Sequence, residues 1–327
     1  MARGGMAVLA GALLLLVSLG AAAEPDDPEC IAPARPGGGF DLTCKLARAA
    51  LNDSKLLTRP LRITYMPGGI GAVAYNTVVA QRPADGNIIV AFSGGSLLNL
   101  AQGKFGKYNV NDVRWLAGVG ADYGMIAVRA DSPYQNLKQL VAAVKANPNE
   151  IVFGAGGTVG SQDWIKTVLI ARQAGVGYQQ MRYVAFEGGG ETTTALLGGH
   201  IQAASGDLSE VMPQLDQRKI RVLAVMSDKR LPGRLSGIPT AREQGFDIVW
   251  PIIRGFYVGP KVSAADYAYW ETSFRKVMAT PQFARLRESY DLFPFSLTGA
   301  QMDAYVKRQV KEYRKIATQF GLVYQTL

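Results

Sequence analysis

Histidine and cysteine are almost missing from this 327-residue chain: His200 is its one histidine, and Cys30 and Cys44 are its two cysteines. With so few of either, most imidazole- and thiol-based arrangements for acid–base, nucleophilic and metal chemistry cannot be assembled. His200 itself sits in "LLGGHIQ", a turn entering a strand, and is read as structural. Long apolar runs are lacking too. The longest, Met6 to Leu19, falls short of the roughly 20 residues that a spanning helix needs. Arg3 precedes that run and Ala21-Ala22-Ala23 follows it, so residues 1–23 read as a secretory signal peptide cleaved after Ala23. Export would allow the two thiols to oxidise. Strand rise alone, however, separates Cys30, low in a strand, from Cys44, high in the next helix, by more than about 7 Å, so two buried free thiols are expected.

Concentrated positive charge is also absent. In the mature chain 34 Lys and Arg against 26 Asp and Glu leave +8, a surface that attracts anions. The cations are nevertheless scattered, with no aromatic-interleaved stripe, and nucleic acid is not expected as a partner. The densest cluster, "VKRQVKEYRK", sets Val306, Val310 and Tyr313 on one helical face and its charges on the other, as a solvated amphipathic helix would.

Glycine, by contrast, is abundant, with 37 residues. "CIAPARPGGGFDLTC" leads a short apolar run through three consecutive glycines into a helical stretch, and the pattern recurs along the chain. "LRITYM" runs into "PGGIG", "NIIVAFS" into "GGS", "EIVFGAGGTVGSQ" into "DWIKTVLIARQA", and "MRYVAFEGGG" into "ETTTALLGG". "IQAASGD" runs into "LSEVMPQL", where Asp207 and Glu210 are spaced as a capping box, and "KIRVLAVMS" is a further strand. Strands alternating with helices predict an α/β protein with largely parallel sheets, and the mature length predicts two lobes. Such sheets bind ligands beyond the carboxyl ends of their strands. Glycines there let a small anion reach the unpaired N–H groups of helix N-termini, although each could also simply ease a tight turn.

An enzyme is not expected. "GIGAVA", from Gly69 to Ala74, fits a dinucleotide-binding pattern, but Asp85 downstream lies in the turn "PADGN" rather than at a strand end. No Ser, Cys or His stands with a base partner nearby, and no cofactor or metal is predicted.

Taken in order, several stretches resemble one family over essentially the whole mature length. They are P-x-x-x-G-G-G-x-D at Pro33 to Asp41, "PGGIGAVAYN" at Pro67 to Asn76, "RPADG" at Arg82 to Gly86 and the G-x-G-S loop ending at Ser161. "ALLGGHI" at Ala195 to Ile201, "RVLAVMSDKR" at Arg221 to Arg230 and "IPTAREQGF" at Ile238 to Phe246 complete the set. The chain is similar to the exported substrate-binding proteins of tripartite tricarboxylate transporters, the Bug family. The opening stretch looks closest to members that bind citrate-like tricarboxylates.

The resemblance implies a two-lobed type II periplasmic-binding-protein architecture with two crossover hinge strands, near Met125 to Ala130 and Arg254 to Gly259. Lobe one would comprise 24–124 and 250–327, and lobe two 125–249. It implies a monomeric periplasmic receptor that passes an organic acid, a tricarboxylate such as citrate, to membrane permease subunits. A dicarboxylate or aromatic acid is the alternative ligand, and a signalling partner the alternative recipient. In the family the first glycine loop holds a ligand carboxylate partly through ordered water. Carried over, that points to Ala34, Gly37, Gly38, Phe40 and Asp41 on lobe one, and to Thr158, Gly160, Ser161 and Asp207 on lobe two. Asp41 is assigned to capping a helix that begins at Leu42. The chain departs from the family where Glu187 and Asp163 replace common cationic residues, so Arg35 and Arg254 are expected to supply positive charge to the ligand.

Overall fold

The computed structural model describes residues 24–324, so the expected signal peptide lies outside the described residues. The first part of the chain runs β1 (Glu29–Ala32), α1 (Gly39–Asp53), β2 (Arg62–Tyr65), α2 (Ala72–Gln81), β3 (Ile88–Ser93) and α3 (Gly94–Ala101). A long strand, β4 (Arg114–Arg129), leads to α4 (Leu137–Ala146), β5 (Val152–Gly156), α5 (Gln162–Gln173), β6 (Arg182–Phe186) and α6 (Gly189–Leu197). Then come β7 (Ala203–Asp207), α7 (Leu208–Asp216), β8 (Ile220–Val225), β9 (Pro251–Val258), α8 (Ala264–Met278), α9 (Pro281–Ser289), β10 (Leu297–Thr298) and α10 (Gly299–Gln319). The apolar runs read from the sequence become strands, and the glycine-rich turns after them open helices. Side-chain caps fix several of these starts: Asn136, Ser161, Ser263 and Thr280 each accept a backbone N–H from three residues on.

Two lobes are joined through β4, and β9 brings the chain back into the first. In the first, β1 pairs in parallel with β2 and β3, and β3 pairs antiparallel with β9. In the second, β5 pairs in parallel with β6 and β7. The strand β4 belongs to both. Its first stretch, Arg114 to Tyr123, runs against β9, and from Gly124 onward it runs against β7 and β8. The sheets are therefore mixed, because the strands that return between lobes cross antiparallel to the parallel core.

Packing follows the burial of each run. All six residues of β3 are buried, as expected of a strand covered on both faces. On α10, Val306 and Tyr313 are buried and Val310 is half-buried, while Lys311, Arg314 and Lys315 are exposed. That is the amphipathic face expected from its sequence.

Cys30 and Cys44 form a disulfide, which corrects the expectation of free thiols. Strand rise alone omits the return of the helix. Cys44 lies five residues into α1, and at 1.5 Å per residue that carries it roughly 7.5 Å back down beside β1. The Cα atoms end 5.8 Å apart, within bridging range. The bridge pins the first glycine loop between strand and helix. A loop of this size stabilises the fold by about 3 kcal/mol in the chain-entropy account. A Cys30→Ala/Cys44→Ala double variant should therefore lose about that much in denaturant unfolding. A loss below about 0.5 kcal/mol would show that packing alone holds the loop.

Candidate functional site

The glycine-rich turns of both lobes converge on one cleft, and the lobes meet across it. Gln102 Nε2 donates to the Gly160 carbonyl and Lys104 Nζ to the Val159 carbonyl, each at 2.7 Å. Arg35 pairs with Glu191 at 2.9 Å, and the Gly39 N–H donates to Glu210 Oε1 at 2.6 Å. Between these contacts lie two cavities. The inner one, about 30 Å³, is lined from lobe one by Ala34, Gly38, Gly39, Phe40 and Ser93 and from lobe two by Ser161, Gln162, Asp163, Gly188, Gly189, Asp207 and Glu210, with Arg254 of β9. The outer one, about 650 Å³, opens toward solvent past Asn99, Lys104, Gly157, Thr158, Phe186, Glu187 and Glu191. Ile70 lines both. Its backbone is left-handed (φ 51°, ψ 48°), a strained state for a β-branched residue.

Two glycines of the inner cavity, Gly39 and Gly189, are required by close neighbours. A β-carbon on Gly39 would lie 2.0 Å from Arg254 Nη1, and one on Gly189 would lie 1.9 Å from Glu210 Oε2. What approaches the loops so closely is thus the protein's own charged side chains.

Those side chains form a buried ionic network. Arg254, 2 % exposed, places Nη2 2.8 Å from Asp122 Oδ2 and 2.9 Å from Asp207 Oδ2. Lys166 Nζ reaches Asp163 Oδ1 at 2.7 Å, Asp207 Oδ1 at 3.0 Å and the Gly206 carbonyl at 2.6 Å. Ser209 Oγ donates to Asp122 at 2.6 Å, and Gln162 Nε2 donates to Asp207 at 3.2 Å. Burial acts first on every one of these acids, favouring the neutral form. For Asp207 the charges of Lys166 and Arg254 outweigh it and hold the carboxyl below its ordinary value. Burial raises Asp122, and it takes Asp163 to about 6 despite Lys166. Glu210, buried beside the negative charge of Asp207, is pushed up to about 8.

Of the residues expected to meet a ligand, Ala34, Gly38, Phe40, Ser161, Asp207 and Arg254 line the inner cavity, and Thr158 lines the outer one. Ser161 also caps α5, accepting from the Trp164 N–H at 3.2 Å. Four do not line either cavity. Gly37 turns the first loop with φ +94°, and Gly160 gives its carbonyl to Gln102. Arg35 lies at the rim, its side chain 66 % exposed. Asp41 departs from its expected role as well. The helix starts at Gly39 rather than Leu42, so Asp41 sits within the first turn and cannot cap it. It reaches back instead, accepting from the Gly37 N–H at 2.8 Å, from Lys45 at 2.7 Å and from the Tyr65 hydroxyl at 2.9 Å.

Sequence reasoning missed Glu210, Lys166, Gln162 and Asp122 as members of the site. Glu210 had one visible signal. Three residues after a strand-ending Asp207, a carboxylate on the first turn of a helix stands at the ligand edge of the sheet.

The profile of the family described as "Tripartite tricarboxylate transporter family receptor" matches residues 46–322. A relative from Cupriavidus necator, "UPF0065 protein in gbd 5'region", is 26% identical over 96% of both chains. Among solved structures, the periplasmic binding protein BugD superposes with a TM-score of 0.80 at 20% identity, covering 92% of this chain and 100% of its own. MatC from Rhodopseudomonas palustris, with bound malate, gives 0.75 at 19% identity over 89% of this chain and 98% of its own. A second R. palustris protein, with adipate, gives 0.79 at 18% identity, covering 90% and 97%.

Proposed function

The chain belongs to the tripartite tricarboxylate transporter family of receptors, and from that premise we propose that it captures a small organic acid between its lobes and delivers it to a membrane permease. Members of this family are solute-binding receptors rather than enzymes. The lobes are assigned as 24–124 with 250–327, and 125–249. Capture would proceed by hinge closure about the two crossings, along β4 and at the start of β9, with the chain acting as a monomer in the periplasm after loss of its signal peptide. Among the described residues no helix is long and apolar enough to cross a membrane.

One observation carries this reading: the glycine-rich edges of both lobes meet around a shared, solvent-accessible cleft. The sequence points to a tricarboxylate such as citrate. The charge distribution favours an acid with fewer charges. Arg254 and Lys166 are each already paired with two carboxylates. The outer cavity has Lys104 as its one lining cation among the described residues, with Glu187 and Glu191 beside it. Burial lowers the Lys104 ammonium to about 8, so a ligand carboxylate beside it would relieve an unfavourable charge. The malate and adipate seen in two solved neighbours are dicarboxylates, in line with this.

Thermal-shift screening of citrate, malate, adipate and related acids against the mature protein tests the proposal. A ligand at 100 times its Kd adds about 2.7 kcal/mol of stability. Stabilisation by at least one acid is expected, with dicarboxylates ahead of citrate. No shift with any acid would overturn the reading.

A further inference from the structure

We infer that the acid taken by this receptor also carries a protonated nitrogen, which docks in the inner cavity against Glu210 and the side-chain oxygen of Gln162. This rests on the reading of the chain as a receptor for small organic acids and narrows it to acids bearing a basic group.

The first ground is that the foremost N–H of α1 is already engaged. At the start of α1 the Gly39 N–H, the group that would receive a ligand carboxylate, is spent on Glu210 Oε1 at 2.6 Å. The second is charge. Asp122, Asp163, Asp207 and Glu210 cluster around two cations, Arg254 and Lys166, whose ammonium and guanidinium groups are both engaged. With Glu210 protonated, three carboxyls still face the two cations, and a ligand carboxylate buried unpaired among them costs several kcal/mol. A protonated nitrogen would offset the excess.

The third ground is independent of the acids. Gln162 is 7 % exposed and lines the cavity, and its Oε1 has no hydrogen-bond partner. The amide cannot turn to hide that oxygen, because its Nε2 is held by both oxygens of Asp207 at 3.2 and 3.3 Å. A buried acceptor left open in this way awaits a donor. Arg254 Nε is the one buried side-chain donor without a partner among the described residues lining the cavity.

Size divides the ligand in two. A cavity of about 30 Å³ takes a group as small as an ammonium or a water molecule, not a carbon chain. The chain and carboxylate would lie in the outer cavity beside Lys104, with Ile70 at the junction.

Protonation of Glu210 supplies a distinct readout. Its carboxyl is faced by Asp207 at the cap of its own helix, Asp163 and Lys166 from α5, Arg254 from β9, Asp122 from β4 and the Gly39 N–H from α1. With burial and Asp207 pushing it up to about 8, it is mostly protonated at pH 7 in the empty site. An ammonium beside it favours the ionised form, so docking releases a proton. Affinity for an amino acid ligand therefore rises with pH from 6 to 8 and then levels. A dicarboxylate favours the protonated form and shows the opposite slope.

The experiment is titration calorimetry on the mature protein with matched pairs differing only at one end: glutarate against 4-aminobutanoate, and adipate against 5-aminopentanoate. The amino member of at least one pair is expected to bind at least about tenfold tighter, equivalent to 1.4 kcal/mol. Its heat at pH 7 should vary with the buffer's ionisation enthalpy in the sense of proton release. In Glu210→Gln the preference should fall to within about threefold, roughly 0.6 kcal/mol. If that variant does not fold, the paired affinities and buffer dependence of the native protein decide alone. Dicarboxylates binding as well as or better than their partners would overturn the inference and leave the acid receptor standing, the inner cavity then holding water only. Binding by neither member of either pair, with no acid active in thermal shift, would sink both.

Discussion

Replacing Arg254 by glutamine is expected to lower the stability of the folded protein by about 3–5 kcal/mol, the range seen when one partner of a buried ion pair is removed. The guanidinium is 2 % exposed and neutralises two carboxylates from different strands, Asp122 on β4 and Asp207 at the end of β7. Without it both acids stay buried, and Asp207 keeps only Lys166 as a charged partner. The effect should be read by denaturant unfolding without ligand. In a chain of this size it also lowers Tm by roughly 5 to 8 °C. Asp122→Asn made in the Arg254→Gln background should recover part of the loss, because one uncompensated charge is removed. Arg35→Gln is the contrast: its partner Glu191 lies at the exposed rim, and such pairs are worth about 0–1 kcal/mol. A loss below about 1 kcal/mol for Arg254→Gln would mean that water reaches the network and screens it.

Valine in place of Gly190 is expected to stop the lobes from closing and to weaken ligand binding roughly tenfold to a hundredfold. A β-carbon there would stand 2.9 Å from the Pro36 carbonyl oxygen and 3.0 Å from the Gly37 carbonyl carbon. Both neighbours are backbone in a loop held at one end by β1 and at the other by the Cys30–Cys44 bridge, so neither can swing aside. Overpacking of this kind costs about 1–3 kcal/mol, which at 1.4 kcal/mol per tenfold sets the range. The strain arises only when loop and helix meet, so it falls on the closed state and spares each lobe's own core. Calorimetry with whichever acid most stabilises the native protein measures the affinity, and small-angle scattering measures compaction on ligand addition. Native affinity with native compaction would show that closure does not bring these loops together.

Much of this architecture could be read along the chain. Runs such as "NIIVAFS" and "KIRVLAVMS" declare strands, and the glycines after "NIIVAFS" declare the turn into a helix. The capping spacing at Asp207 correctly placed the start of α7 at Leu208. These features are legible because each depends on residues a few positions apart: apolar periodicity, a cap and the N–H groups it satisfies, a turn and its glycine. The ligand edge of the sheets followed from strand direction, which explains why most of the loop residues named from the sequence line one cavity or the other.

The pairing of charges could not be read in this way. Along the sequence Arg254 reads as a free cation awaiting a carboxylate, yet its partners Asp122 and Asp207 lie 132 and 47 positions away. Glu210 was read as a capping partner for its own helix, while its second oxygen crosses the cleft to Gly39, 171 positions distant. The disulfide escaped for a related reason: whether Cys44 comes back beside Cys30 depends on how α1 packs against β1, not on their spacing. By itself the sequence determined the elements, their order and the edge at which a ligand would lie, because local hydrogen bonding and periodic burial act between near neighbours. Only the tertiary structure decided which buried charges cancel. Electrostatic compensation acts through space inside a low-dielectric interior, and distance along the chain carries no record of it.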